Sequence, residues 1–173
     1  MTLRDRLVVR DPITPTLVRE PFHRDGWLYE EKVDGWWIIA YKDGGRVRLV
    51  CRNGRAHTRR FPDRAAAVAK LSARTLVLER EVAIFDQQLR SRFDWLREPD
   101  PAAVATPPIY IVFDVMFRDC RDLAGLPLAA RRIHLEDVIA GAAYESRRWQ
   151  VVDRIARHGA SREGAGAPAR RRV

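Results

Sequence analysis

Lysine is the scarce cation of this 173-residue chain: 29 arginines stand against 3 lysines. Arginine serves wherever a fixed positive charge suffices. With a pKa above about 12 it is excluded from nucleophilic attack, which a lysine amine can perform once it loses a proton. Long apolar runs are missing too. The longest, Trp36–Tyr41, is six residues, far short of the ~20 that a membrane helix needs. The N-terminal "MTLRDRLVVRDP" holds no signal-peptide core. The reading is a soluble, cytoplasmic protein with no membrane partner. Cysteine is confined to Cys51 and Cys120, without metal-ligand spacing, which predicts reduced thiols and no metal site. Acidic charge is in deficit, giving a net +9, but unevenly. Residues 147–173 carry eight Arg against Asp153 and Glu163, a balance of +6, so residues 1–146 hold 24 basic and 21 acidic side chains, only +3. A basic patch on a fold favours nucleic acid, whereas a basic tail alone is a weak sign.

What is present is enough apolar material, 46% with five tryptophans, for one domain with a real core. Runs 27–33, 36–42 and 46–51 read as strands separated by the turn signals "DG" and "DGG". Val47, Leu49 and Cys51 alternate with Arg46 and Arg48, as in a half-buried strand. The Ala-rich stretch 61–73, with Pro62 at its start, predicts a helix. Strands follow at 75–86 and 109–117, separated by a polar, Pro/Ala-rich connection with one short helix near 92–97. A helix over 127–141 is predicted, with Leu128, Ile133, Leu135, Val138 and Ile139 as its apolar positions. The reading is an α+β domain of largely antiparallel strands over residues 1–146. Residues 147–173 are expected to form a disordered basic tail.

The lysine that raises a chemical question lies in "WLYEEKVDGWWIIAY". On a strand, Leu28, Glu30, Lys32 and Asp34 share one face, so two carboxylates flank Lys32. Gly35 follows, at a place where backbone approaches a ligand closely. On the residues alone, a solvated charge ladder and a reagent lysine both fit, and exposed ladders are common.

"EEKVDG", then "RNG", then "LEREVAIFD", then "YIVFDVMFRDCRDLAGLPLAARR", in that order, resemble the adenylation domain of ATP-dependent DNA ligases of the bacterial end-joining type. These are covalent nucleotidyltransferases, related to capping enzymes and RNA ligases. The resemblance implies an incomplete nucleotidyltransferase (ATP-grasp-like) adenylation domain, with antiparallel sheets packed against helices. It implies ATP and Mg²⁺ as cofactors, and as partners nicked double-stranded DNA and other end-joining or repair proteins at the nucleoid. By the same resemblance Lys32 is the nucleophile that takes AMP as a phosphoramidate. Glu30 helps to hold the adenine end, and Asp34 is the aspartate just after the nucleophile. Arg52 lies near ribose and the nick 5′-phosphate, Glu81 contacts the ribose hydroxyls, and Phe113 stacks on adenine. Read without the resemblance, Arg52 is a surface turn arginine and Phe113 a core aromatic.

The chain departs from the family pattern at Trp37, where the family has arginine, and at Glu79-Arg80, where it has Asp-Gly. After Val138 nothing matches the metal-binding glutamate segment or the later lysine pair. The expectation is therefore an adenylation domain incomplete at its C-terminus, with impaired ligation. The alternative is a non-catalytic remnant that binds nucleic acid through its tail and Arg46, Arg48, Arg52, Arg55, Arg59 and Arg60.

Overall fold

A computed structural model describes residues 18–20, 22, 32–98, 102, 104, 106–140 and 149–151. The predicted strand at 27–33 lies outside these residues but for its end at Lys32 and Val33, which are not in a strand. The first pair of strands is β1 (Trp36–Asp43) and β2 (Arg46–Cys51), an antiparallel hairpin. Its tight turn uses Gly44 at φ +55°, a conformation that favours glycine. Arg46 and Arg48 are exposed and Leu49 is fully buried, as the alternation predicts.

Helix α1 (Pro62–Ala69) opens on Pro62, where the missing N–H costs nothing. It ends four residues sooner than the alanine content suggests. The Leu71 and Ala73 carbonyls instead accept hydrogen bonds from the buried Lys42 ammonium, so the chain beyond Ala69 leaves the helix. Strand β3 (Thr75–Ala83) is flanked by β1 and β4 (Ile109–Arg118), antiparallel to both. A short 3₁₀ turn, Asp94–Leu96, is the small helix expected between them.

Strand β5 (Arg121–Asp122) was not foreseen. Asp119 and Cys120 both have positive φ, at +43° and +68°, forming a two-residue hairpin turn without glycine. Asp119 Oδ1 accepts from the Arg74 and Thr75 amides, which helps to hold that turn. Strand β6 (Trp149–Val151) runs parallel to β4, and the rest of the expected tail over 147–173 lies outside the described residues. The sheet order is β2-β1-β3-β4-β5, with β6 also on β4. Both cysteines are free thiols.

One face of the sheet carries the main core: Ile38, Ala40, Leu76, Leu78, Val82 and Val112 belong to one cluster with Ala67 and Val68 of α1. Leu135, Val138 and Ile139 of helix α2 (Leu128–Ala140) join the same cluster. Each Leu, Ile or Val among them contributes about 1.5–3 kcal/mol on burial, so this face drives folding. The opposite face has a small cluster, Ala83, Ile109 and Ile111, with Val33 and Phe85 packed against it. Ile133 of α2 points outward, 63% exposed, contrary to the apolar reading of that helix. The inward positions are Arg131, Arg132, Leu135, Val138 and Ile139, a helical stripe that includes two arginines.

Arg80 is the costliest residue of the core. It is fully buried, and its three side-chain nitrogens have no hydrogen-bond partner among the described residues. Its guanidinium stands 4.5 Å over the Tyr110 ring. Burial pulls its pKa down to about 10, still charged at neutral pH. Desolvating such a charge costs several kcal/mol, and a desolvated cation–π contact returns only about 2 kcal/mol. Arg80→Met, of similar length, is therefore expected to stabilise the fold by ~1–2 kcal/mol. A denaturation midpoint that shifts upward in urea checks this; a downward shift contradicts it.

Candidate active site

The site forms at one end of the sheet. Antiparallel pairing sets Trp36 beside Val82 and Trp37 beside Glu81, while Glu81 pairs on its other side with Ile111. Trp37, Glu81 and Ile111 thus form one row across three strands, each about 4.8 Å from the next. Cys51, the last residue of β2, pairs with Ile38. Arg52 therefore leaves β2 one step beyond, in line with the same row. The segment Lys32–Gly35 enters β1 at this end, and Val33 packs on the cluster of Ala83, Ile109 and Ile111. The row lies on the face away from the main core.

Lys32 Nζ is ion-paired with Asp34 Oδ1, both side chains partly exposed, at 38% and 62%. An exposed pair of this kind contributes less than about 1 kcal/mol, so it orients Lys32 without locking it. The other lysines differ. Lys42 is buried with its ammonium spent on two carbonyls, and Lys70 is an exposed cap at the end of α1. Of the three, Lys32 is the one on the segment that packs, through Val33, against Ala83, Ile109 and Ile111. Glu30 lies outside the described residues.

Gly35 has a different reason from the one the sequence suggested. A Cβ there would meet the Val82 carbonyl oxygen at 2.3 Å and its carbon at 2.9 Å. The close approach is to the backbone of β3, which seats the lysine segment on the sheet. The Asp34 amide donates to Ser91 Oγ at 2.9 Å. Ser91 closes a loop from Phe85, to which it is bridged. The buried Asp86 carboxylate at its heart accepts from the Gln88 and Arg90 amides at 3.0 and 2.9 Å. That turn also stops β3 at Ala83, short of the predicted Asp86.

Glu81 is half-buried at mid-row. Its neighbour on the same face, Glu79, is 5% exposed and accepts the Trp37 indole N–H at 2.7 Å. The tryptophan found where the family has arginine is thereby fixed on the site face. Glu79 also pairs in register with Asp114, beside a bulge in which Phe113 is the extra residue. Phe113 is only 6% exposed. Asp114 takes a two-pronged grip from Arg131 of α2, Nε to Oδ1 at 2.8 Å and an NH2 nitrogen to Oδ2 at 2.6 Å. Those hydrogen bonds hold the Arg131 guanidinium above its ordinary pKa.

Arg52 is exposed on a tight turn. The Cys51 amide donates to the Arg55 carbonyl, the Gly54 amide donates to the Cys51 carbonyl, and Gly54 adopts φ +79°. The "RNG" glycine is thus required by the turn. Cys51 Sγ lies 2.7 Å from Asn53 Oδ1 and 3.2 Å from His57 Nε2. Burial, then Arg55 and Arg60, pull the His57 pKa down, favouring the neutral ring.

Sequence reasoning missed Ser91, Asp86 and the Asp114–Arg131 pair. Only Asp114 had a visible signal, a carboxylate inside the apolar run "YIVFDVMF" that needs a buried partner. No group of three or more His, Cys, Asp or Glu able to hold a metal occurs among the described residues. No helix among them is long and apolar enough to cross a membrane.

The fold is that of a nucleotidyltransferase-type, largely antiparallel sheet packed with helices. Residues 13–161 match the model of the ATP dependent DNA ligase domain, and the chain belongs to that family. It is 32% identical over 141 residues to the multifunctional non-homologous end joining protein LigD of Pseudomonas aeruginosa, covering 82% of this chain and 17% of that protein. DNA ligase C2 of Mycolicibacterium smegmatis is 34% identical over 144 residues, covering 79% of this chain and 41% of the relative. The chain thus spans less than half the length of these relatives. Among solved structures, the ligase domain of M. tuberculosis LigD superposes with a TM-score of 0.56 at 26% identity, over 66% of this chain and 38% of that one. A mycobacterial DNA ligase D complexed with ATP and MES gives 0.55 at 28% identity, over 67% of this chain and 37% of that one.

Proposed function

We propose that this chain carries out the first step of DNA ligation, transferring AMP from ATP to Lys32, in the service of sealing nicked double-stranded DNA during repair, recombination and end joining. The observation that carries the reading is the convergence of Lys32, Asp34, Arg52 and Glu81 at one end of the sheet, on or beside the face away from the core. Attack requires a free amine, so the Lys32–Asp34 pair must part and the ammonium give up its proton. The nitrogen then bonds to the α-phosphorus as the bond to pyrophosphate breaks.

Glu81 is assigned the ribose hydroxyls, Glu30 the adenine end and Phe113 the stacking floor. Arg52, exposed on a rigid turn, is assigned the nick 5′-phosphate, for which a guanidinium fork is suited. Mg²⁺ enters with the ATP phosphates. The described residues offer no cluster of their own for it, and no step is assigned to it. The setting is cytoplasmic, at the nucleoid, with other end-joining or repair proteins as partners.

Incubation with α-labelled ATP and Mg²⁺ followed by a denaturing gel tests this. Label on the wild type that is lost in Lys32→Ala supports it, and an unlabelled, folded wild type overturns it. A second reading, DNA binding without AMP transfer, is favoured by the exposed Arg46, Arg48, Arg52, Arg55, Arg59 and Arg60 on edge strand β2 and the loop after it. It predicts affinity that falls steeply with salt and no label at all.

A further inference from the structure

We propose that Ser91 is the positioning residue for Lys32, an inference that rests on Lys32 being the residue that takes AMP. Besides the packing of Val33, two contacts among the described residues fix the segment that carries this lysine. Gly35 sits against the Val82 backbone with no room for a Cβ. On the lysine's side the fixed point is a hydrogen bond, from the Asp34 amide to Ser91 Oγ, spanning 57 residues of sequence. Asp34 is also the ion-pair partner of Lys32, so its backbone position sets where the lysine's nitrogen rests.

Ser91 is itself held. It bridges to Phe85, and the Arg92 amide donates to the Ile84 carbonyl, continuing the ladder past β3. Asp86, 7% exposed, ties the loop with two amide hydrogen bonds, and Leu89 takes a positive φ of 58° at its tip. Such a tied loop is a stiff arm running from the end of β3 to the lysine segment. Ser91 contacts no reacting atom; it acts through the Asp34 backbone. Without its hydroxyl the Asp34 amide loses that bond, and Lys32 samples more directions. Small misplacement of a nucleophile costs up to about 100-fold in rate, and a lost hydrogen bond alone about fivefold.

The test is single-turnover labelling of the whole chain with α-labelled ATP for wild type, Ser91→Ala and Ser91→Thr, each checked for an unchanged melting curve. The rate constant at saturating ATP is expected to fall about tenfold in Ser91→Ala. The half-saturating ATP concentration should stay within about twofold, because the arm orients the amine and does not bind the nucleotide. Ser91→Thr, which keeps the hydroxyl, should return the rate to near wild type. A Ser91→Ala protein that labels as fast as wild type overturns the positioning role alone. So does a variant whose whole defect lies in half-saturating ATP, or a threonine that fails to restore the rate. A wild type that takes no label overturns the proposed function, and this role with it.

Discussion

Arg131→Met is expected to destabilise the fold by about 3–5 kcal/mol, the cost of leaving one member of a buried ion pair without its partner. Both side chains are nearly enclosed, at 7% and 5% exposure, and they meet through two hydrogen bonds. A third charge raises the stakes. Glu79 pairs in register with Asp114, so removing the guanidinium leaves two buried carboxylates side by side. One of them then has reason to take up a proton, which raises its folded pKa above the ordinary carboxylate value of about 4. The folded variant would bind more protons than the unfolded chain above that pH, so its stability should fall as pH rises through that window. Thermal melts should show a loss on the order of 10 °C at neutral pH, and a smaller loss at pH 5. The double replacement Asp114→Leu with Arg131→Met should recover part of the stability, since Asp114 is no longer left facing Glu79 without its guanidinium, while Glu79 stays buried. A single variant that melts like wild type would show that the pair contributes nothing. Labelling should fall with stability, because this pair holds the bulge at Phe113 and the neighbour of Trp37.

Gly35→Ala is the second large effect, and it separates two meanings of a glycine after a lysine. Had the glycine served only to admit a ligand, alanine would weaken nucleotide binding and leave the melt unchanged. The contact at 2.3 Å is instead with a backbone oxygen of the central strand β3. That oxygen cannot turn aside as a flexible side chain would. Either the segment Lys32–Asp34 lifts from the sheet or the start of β1 separates from β3. Overpacking of this kind costs about 1–3 kcal/mol or more, and displacing the nucleophile by about 1 Å costs roughly 100-fold in rate. Both a lowered melting temperature and near-total loss of Lys32 labelling are expected. Retained melting with weakened ATP saturation would return the glycine to a ligand role.

The sequence by itself determined the strands whose side chains alternate, as in "RVRLVC", and the apolar strand "IYIVF", because period-two burial leaves its mark residue by residue. It also singled out Lys32, through the scarcity of lysine and the order of four short segments. Element ends were less legible. Helix α1 stops at Ala69 because Lys42, from another strand, takes the carbonyls beyond it, and no local propensity records that. The inward face of α2 was legible at Leu135, Val138 and Ile139 but not at Arg131 and Arg132, which are inside while Ile133 is outside, and only Asp114, 17 residues before Arg131, explains why one of these arginines is inside. The row of Trp37, Glu81 and Ile111 was decided by register, a long-range pairing in which a slip of one residue would turn every side chain to the other face. Ser91 and the true reason for Gly35 belong to the same class. Both arise from segments far apart in sequence meeting at one point, and contacts of that kind exist only once the chain has folded.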